Sequence, residues 1–226
     1  MLNNFLKSIL RIRLINIDQA VTIFGRQFSE EGFHPIVQTI KEYQNNEKIS
    51  VENTSLYRYH NEFTPEDMCQ AFGRESSMCD LPLFVFPWGR FRLGCNKLKD
   101  PLKSRFCGPT ELDRIQKEFL DSINLYLDIK NNGYQIIRRR SVIGGTFIIN
   151  KNLDKRFIVL QGNHRMSALT ALGHKKVLVY TMPGYLNKID ENKIDSWEEV
   201  RRGNCSKNLA LEIFRLFFNA ESNSIY

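Results

Sequence analysis

The strongest pattern in this chain lies in residues 157–173, which read FIVLQGNHRMSALTALG. The first four residues form a fully apolar run, which is typical of a buried strand. Gly162 follows almost at once, and the residues after it predict a helix that continues to Leu172 and stops at Gly173. The first backbone N–H groups of a helix have no partner within the helix, and the positive end of its dipole lies there. A strand that runs through a glycine into a helix therefore predicts an anion site.

The residues at this junction strengthen the prediction of a phosphate site. Gly162 leaves room for a phosphate to approach the backbone, and Arg165 can bind a phosphate with two hydrogen bonds. Cations at the start of a helix are unfavourable unless an anion is bound. We predict a nucleotide-phosphate site formed by Gly162, Asn163, His164 and Arg165, hereafter the box, with Ser167 assisting one turn further along the helix. The alternative is that His164 and Arg165 hold a nearby carboxylate or carbonyl for structural reasons.

Hydrophobic spacing on both sides of the box predicts an α+β fold. An apolar stripe at helical spacing predicts a long helix that begins near Thr110 and ends at Asn132-Gly133. Strands are predicted at residues 135–140, 146–150 and 177–180, with Gly144-Gly145 as a turn between the first two. Residues 196–218 predict one or two helices, and residues 81–86 predict a strand.

The N-terminal residues predict helices. Apolar residues fall on one helical face of residues 1–15, while Lys7, Arg11 and Arg13 interrupt the run. This segment is too short and too charged to span a bilayer, and it is a poor signal peptide. It predicts a cationic amphipathic helix that lies on a membrane surface or packs against the core of the protein. Residues 17–46 predict a second helix. We divide the chain into an N-terminal helical extension (residues 1–66), a core (67–188) and a C-terminal helical tail (189–226).

The composition is that of a globular protein with an anionic partner. The net charge of +7 favours a nucleotide, a nucleic acid, a phosphorylated sugar or a membrane surface, and does not choose among them. The five cysteines show no zinc-ligand spacing. Their odd number and the length of the chain predict reduced thiols in a cytosolic compartment.

Residues 157–179 resemble the signature of the ParB/sulfiredoxin superfamily. In that superfamily a strand leads into a Gly-x-His-Arg or Gly-x-Arg-Arg box, followed by a helix containing Ala, then Leu-Gly and another strand. The order upstream of the box is similar too, and the resemblance covers residues 109–183. It implies a small mixed sheet flanked by helices.

The superfamily contains several chemistries, and the box excludes two of them. Sulfiredoxins use a box cysteine where this chain has Asn163, so repair of sulfinic acids is not expected. Chromosome-partition proteins have a second box arginine and continue into a helix-turn-helix domain. Here His164 precedes a single Arg165, and too few residues follow the core. Specific DNA binding is therefore not expected, although the positive charge leaves nonspecific nucleic-acid contact open.

The remaining branch resembles free-serine kinases and related small-molecule kinases. This resemblance implies ATP or ADP as phosphoryl donor and Mg²⁺ as cofactor, with His164 and Arg165 at the transferring phosphate. It also implies a glutamate base at the start of the helix before the box strand, and Glu111 occupies a similar position. Those kinases usually have Asp before the box glycine, whereas this chain has Gln161. Metal binding must then come partly from elsewhere, such as Asn163 together with the phosphates.

Segments outside the core resemble ParB-like proteins of bacterial surface-polysaccharide gene clusters. They are Phe33-His34-Pro35, Pro87-Trp88-Gly89 and Ser196-Trp197-Glu198-Glu199-Val200. This resemblance implies a sugar acceptor. We therefore predict a kinase that phosphorylates a hydroxyl of a small molecule or sugar, in the cytoplasm or at the inner face of the membrane. The alternative is a nucleotide-responsive or nucleic-acid-binding module without turnover.

Overall fold

The computed structural model describes residues 11–29, 32–78, 80–90, 106–135, 142–182 and 188–219. They form a mixed α+β structure. Its strands are β1 (Ile12–Asn16), β2 (Ala20–Val21), β3 (Val85–Phe86), β4 (Gly89–Arg90), β5 (Ile143–Ile149), β6 (Lys155–Gln161), β7 (Lys176–Thr181) and β8 (Lys188–Asp190). Its α-helices are α1 (Pro35–Asn45), α2 (Ser55–Glu62), α3 (Met68–Ala71), α4 (Leu112–Asn132), α5 (Asn163–Ala171), α6 (Glu198–Arg201) and α7 (Lys207–Leu216).

A six-stranded mixed sheet forms the centre, in the order β1-β7-β5-β6-β2, with β8 also paired to β5. The β5–β6 and β1–β7 pairs are antiparallel, whereas β5–β7, β5–β8 and β2–β6 are parallel. The chain therefore leaves β6 at Gln161, enters α5 within two residues and returns to the sheet as β7. This path places the start of α5 at the end of a central strand.

Both faces of the sheet are covered, which explains why residues 157–160 of β6 are all apolar. Phe157 and Val159 of β6 pack in the core under α1, α4 and α5, and Ile158 and Leu160 pack in a second core on the opposite face. Side chains of a strand alternate between faces, so a strand buried on both sides has no polar positions. The second core is rich in aromatic side chains, including Trp88, Trp197, Phe214 and Phe217.

The structure confirms the long helix, the box strand, the box helix and the strand after it. Helix α4 ends before Gly133, whose φ of +73° suits a glycine, and Gly173 closes α5 with a φ of +78°. Glu111 rather than Thr110 is the N-cap of α4. The predicted strand at residues 81–86 is reduced to Val85–Phe86, and the C-terminal segment contains α6 and α7.

Two glycines predicted to form a turn lie inside a strand. Gly144 and Gly145 belong to β5, and the register with β6 shifts between them. A Cβ on Gly145 would lie 2.0 Å from the backbone oxygen of Ile158, so only glycine permits this pairing. The predicted turn is therefore wrong. Of the strand predicted at residues 135–140, Gln135 is not in a strand and residues 136–140 lie outside the described part.

The helical prediction for the N-terminal segment is wrong for residues 12–15, 20–29 and 32–34, whereas Ile17–Gln19 form a short 3-10 helix. Residues 12–16 form β1, residues 20–21 form β2, and only Pro35–Asn45 of the predicted 17–46 segment is α-helix. The segment is rich in isoleucine and valine, which fit a pleated surface, and pairing with β7 and β6 decides the outcome. Residues 1–10 lie outside the described part. The sheet thus includes strands from the segment assigned to the N-terminal extension.

The cysteines differ in part from expectation. Cys107 and Cys205 are free and buried, whereas Cys69 is disulfide-bonded to a partner outside the described residues. The prediction of reduced thiols is therefore wrong at Cys69. Within the described ranges, no helix is long and apolar enough to cross a membrane.

Candidate functional site

A cavity of about 310 Å³ opens at the N-terminal end of α5. The four residues of the box line one side of it. The other walls come from the loop after β2, from α2 and from α4, through Arg26, His60, Glu118 and Leu125. Its size lies at the lower end of the range for small-molecule sites, about 300–1,000 Å³.

Gly162 sets the geometry of the box. It has φ +91° and ψ +27°, the left-handed conformation, and it is the N-cap of α5. A Cβ at this position would lie 3.2 Å from Nη1 of Arg165 and 3.3 Å from Cα of Ile143. Glycine is therefore favoured here both by conformation and by space. The Met166 N–H donates to the Gly162 carbonyl, so the N–H groups of the intervening residues have no partner within the helix.

Two buried atoms of the box have no hydrogen-bond partner among the described residues. They are Nη1 of Arg165 and Oδ1 of Asn163. Leaving a buried charged donor unpaired is costly, because it loses its water without gaining a replacement. The first turn of α5 also contains no acidic residue. An anionic ligand would satisfy both the guanidinium and the free backbone N–H groups.

His164 is paired with a carboxylate on α4. Its Nε2 lies 2.5 Å from Oε1 of Glu118, which is buried and faces the same cavity. With a carboxylate as acceptor, the Nε2 atom carries the proton, and Nδ1 of a neutral ring is the remaining acceptor. The alternative prediction, that His164 holds a nearby carboxylate, is thus confirmed, because its ring is paired with Glu118. That carboxylate is itself part of the cavity wall.

Arg26 brings a second guanidinium to the cavity. It is only 6% exposed, and its guanidinium lies over the rings of Tyr59 and Phe63, 5.1 and 5.0 Å from their centroids. Cation–π contacts of this kind hold an arginine in a desolvated position. Arg26 was not predicted as a site residue, because residues 17–46 read as a helix. A charged residue between Phe24 and Phe28 was the available signal.

The buried histidines near the cavity are neutral at neutral pH. Burial, with the nearby charges of Arg26 and His164, lowers the pKa of His34 from 6.5 to about 3. Burial also lowers the pKa of His60, whose Nδ1 lies 3.0 Å from Oγ1 of Thr110. Arg26 and Arg165 bring positive charge to the cavity.

Ser167 does not face the cavity. Its side chain is fully buried, and Oγ lies 3.4 Å from Nδ1 of His34, which also stacks on Phe28 at 4.2 Å. The structure therefore places Ser167 behind the box, where it contacts the wall of the cavity rather than its contents.

Glu111 is separated from the box. It is exposed at the start of α4 and is not among the residues that line the cavity. Glu118, two turns further along the same helix, is the carboxylate that reaches it. A sequence signal for Glu118 exists, since it interrupts the apolar stripe of α4 between Ile115 and Ile123, where an acid is rarely buried unless paired.

Metal binding was tested against the same residues. No group of three His, Cys, Asp or Glu side chains in the described ranges could hold a metal ion. The buried, unpartnered Oδ1 of Asn163 is the one oxygen of the box side chains, and Mg²⁺ prefers oxygen ligands. A single protein oxygen fits a magnesium ion that is bound mainly by nucleotide phosphates.

The chain was compared with known proteins. No protein-family model matches it, and no match was found among curated proteins or solved structures.

Proposed function

We propose that the protein is a phosphotransferase that binds the phosphates of ATP or ADP at the N-terminus of α5 and transfers the terminal phosphoryl group to a hydroxyl. One observation carries the proposal. Arg165, whose buried Nη1 has no hydrogen-bond partner among the described residues, lines a cavity at the start of α5, and the first turn of that helix contains no acid. This arrangement is complementary to a phosphate chain.

Two arginines, Arg165 and Arg26, bind and stabilise the negative charge of the phosphates. Arg165 and the backbone N–H groups of the box bind the phosphoryl group that is transferred, and Arg26 stabilises negative charge from the opposite wall. Phosphoryl transfer needs positioning and charge stabilisation above all, because the charge of the transition state is spread over the phosphoryl oxygens. Cation–π contacts fix Arg26 in advance, so little reorganisation accompanies the reaction.

The base in this proposal is the Glu118–His164 pair rather than Glu111. Glu118 holds the ring through Nε2, which leaves Nδ1 of His164 to accept the proton of the acceptor hydroxyl. A buried carboxylate that orients a histidine also stabilises the imidazolium that forms. The pair supplies a proton acceptor within the cavity wall.

Magnesium would bind to the phosphates and to Oδ1 of Asn163. When bound, the ion neutralises phosphate charge and helps to hold the chain in one geometry. Gln161, which precedes the box, has a neutral amide and therefore adds no negative charge beside the phosphates.

The fold supports the same proposal at a coarser level. The path β6–α5–β7 carries the box between a central strand and its neighbour in a mixed sheet. This strand–helix–strand order is the one expected from the resemblance of residues 109–183 to the ParB/sulfiredoxin superfamily, and the kinase proposal rests in part on that resemblance. The resemblance of segments outside the core to ParB-like proteins of surface-polysaccharide gene clusters supports a sugar as the acceptor.

Nucleotide titration of the purified full chain tests the proposal. We expect ATP or ADP to bind in the presence of Mg²⁺. Losing a charge-assisted phosphate contact costs on the order of 2 kcal/mol, so Arg165→Ala should weaken binding at least about 30-fold. Arg165→Lys should recover part of the affinity, because it keeps the charge without the two-pronged geometry. Arg201, exposed on α6 and outside the cavity, provides the matched control Arg201→Ala.

Release of ADP from ATP in the presence of an acceptor separates a kinase from a binding module. Turnover that requires an acceptor hydroxyl supports the kinase. Binding without turnover across many acceptors supports the nucleotide-responsive module. Equal affinity in wild type and Arg165→Ala, with the fold intact, would contradict the phosphate site itself.

A further inference from the structure

A second cavity, of about 270 Å³, lies at the C-terminal end of α4. Its walls include Asp128, Asn132, Tyr134, Gln135 and the side chain of Arg165. The nucleotide proposal uses none of these residues except Arg165.

The two cavities meet at Arg165. This side chain and Leu125 line both of them, so the guanidinium borders the phosphate site on one side and the second cavity on the other. The Arg165 charge also acts on Tyr134. Burial raises the pKa of the Tyr134 hydroxyl, and Arg165 opposes that rise. A group transferred at Arg165 would therefore pass between two adjacent compartments.

The chemistry of the second cavity differs from that of the first. The first contains two guanidinium groups, which suit phosphate, and the histidine–carboxylate pair. The second contains a carboxylate, two amides and a phenol, and Arg165 is the one cation among its described lining residues. Hydroxyl groups both donate and accept hydrogen bonds, and carboxylates and amides are their usual partners in proteins.

Local hydrogen bonds hold these groups in place. Asn132 Nδ2 donates to Oδ1 of Asp128 over 3.0 Å, and Gln135 Nε2 donates to the Asn132 carbonyl over 3.2 Å. Polar groups fixed before binding lower the cost of ordering the site. Exposed Gly133 stands at the turn between Asn132 and Tyr134. The positions of these polar groups thus depend on how α4 ends.

We propose, on the basis of the phosphotransferase function above, that this second cavity is the acceptor site and takes a neutral polyhydroxylated molecule, a sugar or sugar alcohol. Asp128 is a specificity residue that accepts hydrogen bonds from acceptor hydroxyls other than the reacting one. The reacting hydroxyl points past Leu125 towards Arg165.

The proposed reaction transfers the terminal phosphoryl group of ATP to the acceptor hydroxyl. The acceptor oxygen attacks the terminal phosphorus of ATP and forms a new P–O bond. The bond from that phosphorus to the bridging oxygen breaks, and its electron pair stays on ADP. The hydroxyl proton goes to His164 Nδ1. The products are a phosphate monoester and ADP.

The experiment measures ADP release from ATP and Mg²⁺ with glucose, mannitol or serine as the probe acceptor. We expect glucose or mannitol, and not serine, to stimulate ADP release. Asp128→Asn should raise the KM for the polyol at least tenfold and leave nucleotide affinity unchanged. Asp121→Asn provides the matched control, because Asp121 is an exposed residue of the same helix that lines neither cavity.

The outcomes separate the two proposals. Nucleotide that binds, with stimulation by serine alone or by no acceptor, overturns the polyol inference and leaves the phosphate site standing. A polyol KM that is the same in Asp128→Asn and wild type overturns the location of the acceptor. Absence of nucleotide binding in the wild type overturns the phosphotransferase function and the acceptor site with it.

Discussion

At the scale of single residues, two polar side-chain atoms at the start of α5 are buried and have no hydrogen-bond partner among the described residues. Nη1 of Arg165 and Oδ1 of Asn163 are such atoms, and both belong to the box. Glu118 is buried as well, yet it is paired with His164. In the proposed mechanism, the first two atoms bind the ligand, whereas Glu118 orients the ring of His164.

The two glutamates of the α4 region give opposite predictions. Glu118→Gln keeps the size of the side chain but cannot stabilise a protonated His164. We expect phosphoryl transfer to slow by about 100-fold or more, with near-normal nucleotide affinity. Glu111→Gln removes only an exposed acid near a helix start, worth about 0.3–1 kcal/mol of stability, and should change the rate little. Paired rate assays and nucleotide titrations measure both variants. A slow Glu111→Gln beside a normal Glu118→Gln would return Glu111 to the mechanism.

Gly162 provides a second residue-scale prediction, with a matched glycine at the other end of α5. Gly162 and Gly173 both have positive φ, +91° and +78°, so alanine is strained at either position. At Gly173 a Cβ would meet nothing within 4 Å, whereas at Gly162 it would crowd Nη1 of Arg165. Both variants should lose roughly 1–3 kcal/mol of stability. Only Gly162→Ala should also weaken nucleotide binding, as calorimetric titration would show. Equal binding in the two variants would mean that the space at Gly162 does not matter.

At the scale of elements, the buried His34 lies at the start of α1 and contacts Ser167 of α5. Protonation of this histidine opposes folding. The His34 pKa is about 3 in the folded protein, against 6.5 ordinarily. The unfolded chain therefore binds more protons than the folded chain between these two values. The contribution of the neutral His34 to the free energy of unfolding is fully present above pH 6.5, and it is lost as the pH falls from 6.5 towards 3.

This linkage predicts how stability depends on pH. The wild-type Tm should fall between pH 7.5 and pH 4.5, by an amount that includes His34 and the other titrating groups. In His34→Gln the fall should be smaller, because a glutamine takes up no proton, although the variant is less stable at every pH. Thermal melts of both proteins across this range provide the measurement. Parallel curves would show that His34 is not protonated on unfolding.

At the scale of the whole molecule, the N-terminal strand completes the sheet. β1 lies at the edge and pairs with β7 over five residues, and Ile15 is buried beneath the helices. Without β1, the edge of β7 and part of the core would be exposed. The N-terminal segment is thus part of the central sheet rather than a separate appendage.

Two deletions test this role. Removing residues 1–16 should lower the Tm by roughly 5 °C or more, since burying an isoleucine contributes about 1.5–3 kcal/mol and each kcal/mol shifts the Tm by about 2–4 °C. Removing residues 1–10 keeps β1 and serves as the control. Identical melting of the two truncated chains would contradict the structural role of β1. The same chains, sedimented with anionic vesicles, test the membrane contact predicted for the first residues.

The sequence by itself determined the local geometry of the box. A fully apolar run, a glycine and a helix with cations in its first turn predicted β6, α5 and the anion site, and the structure has the strand and the helix there. These features could be predicted because they depend on near neighbours: the backbone freedom of Gly162, the free N–H groups of a helix start, and the side-chain periods of strand and helix. The end of α4 at Gly133 was predictable for the same reason.

Only the tertiary structure decided which distant residues join the box. Arg26 is far from it in sequence, and Glu118 was passed over for Glu111 although both lie in the α4 region. Residues 12–15 and 20–21 read as helix on local spacing but belong to β1 and β2, because the edges of β7 and β6 offer them hydrogen bonds. Gly144 and Gly145 looked like a turn, yet the close approach of β6 requires them within a strand. Each of these outcomes depends on contacts between segments distant in sequence, and such contacts leave no periodic trace in the chain itself.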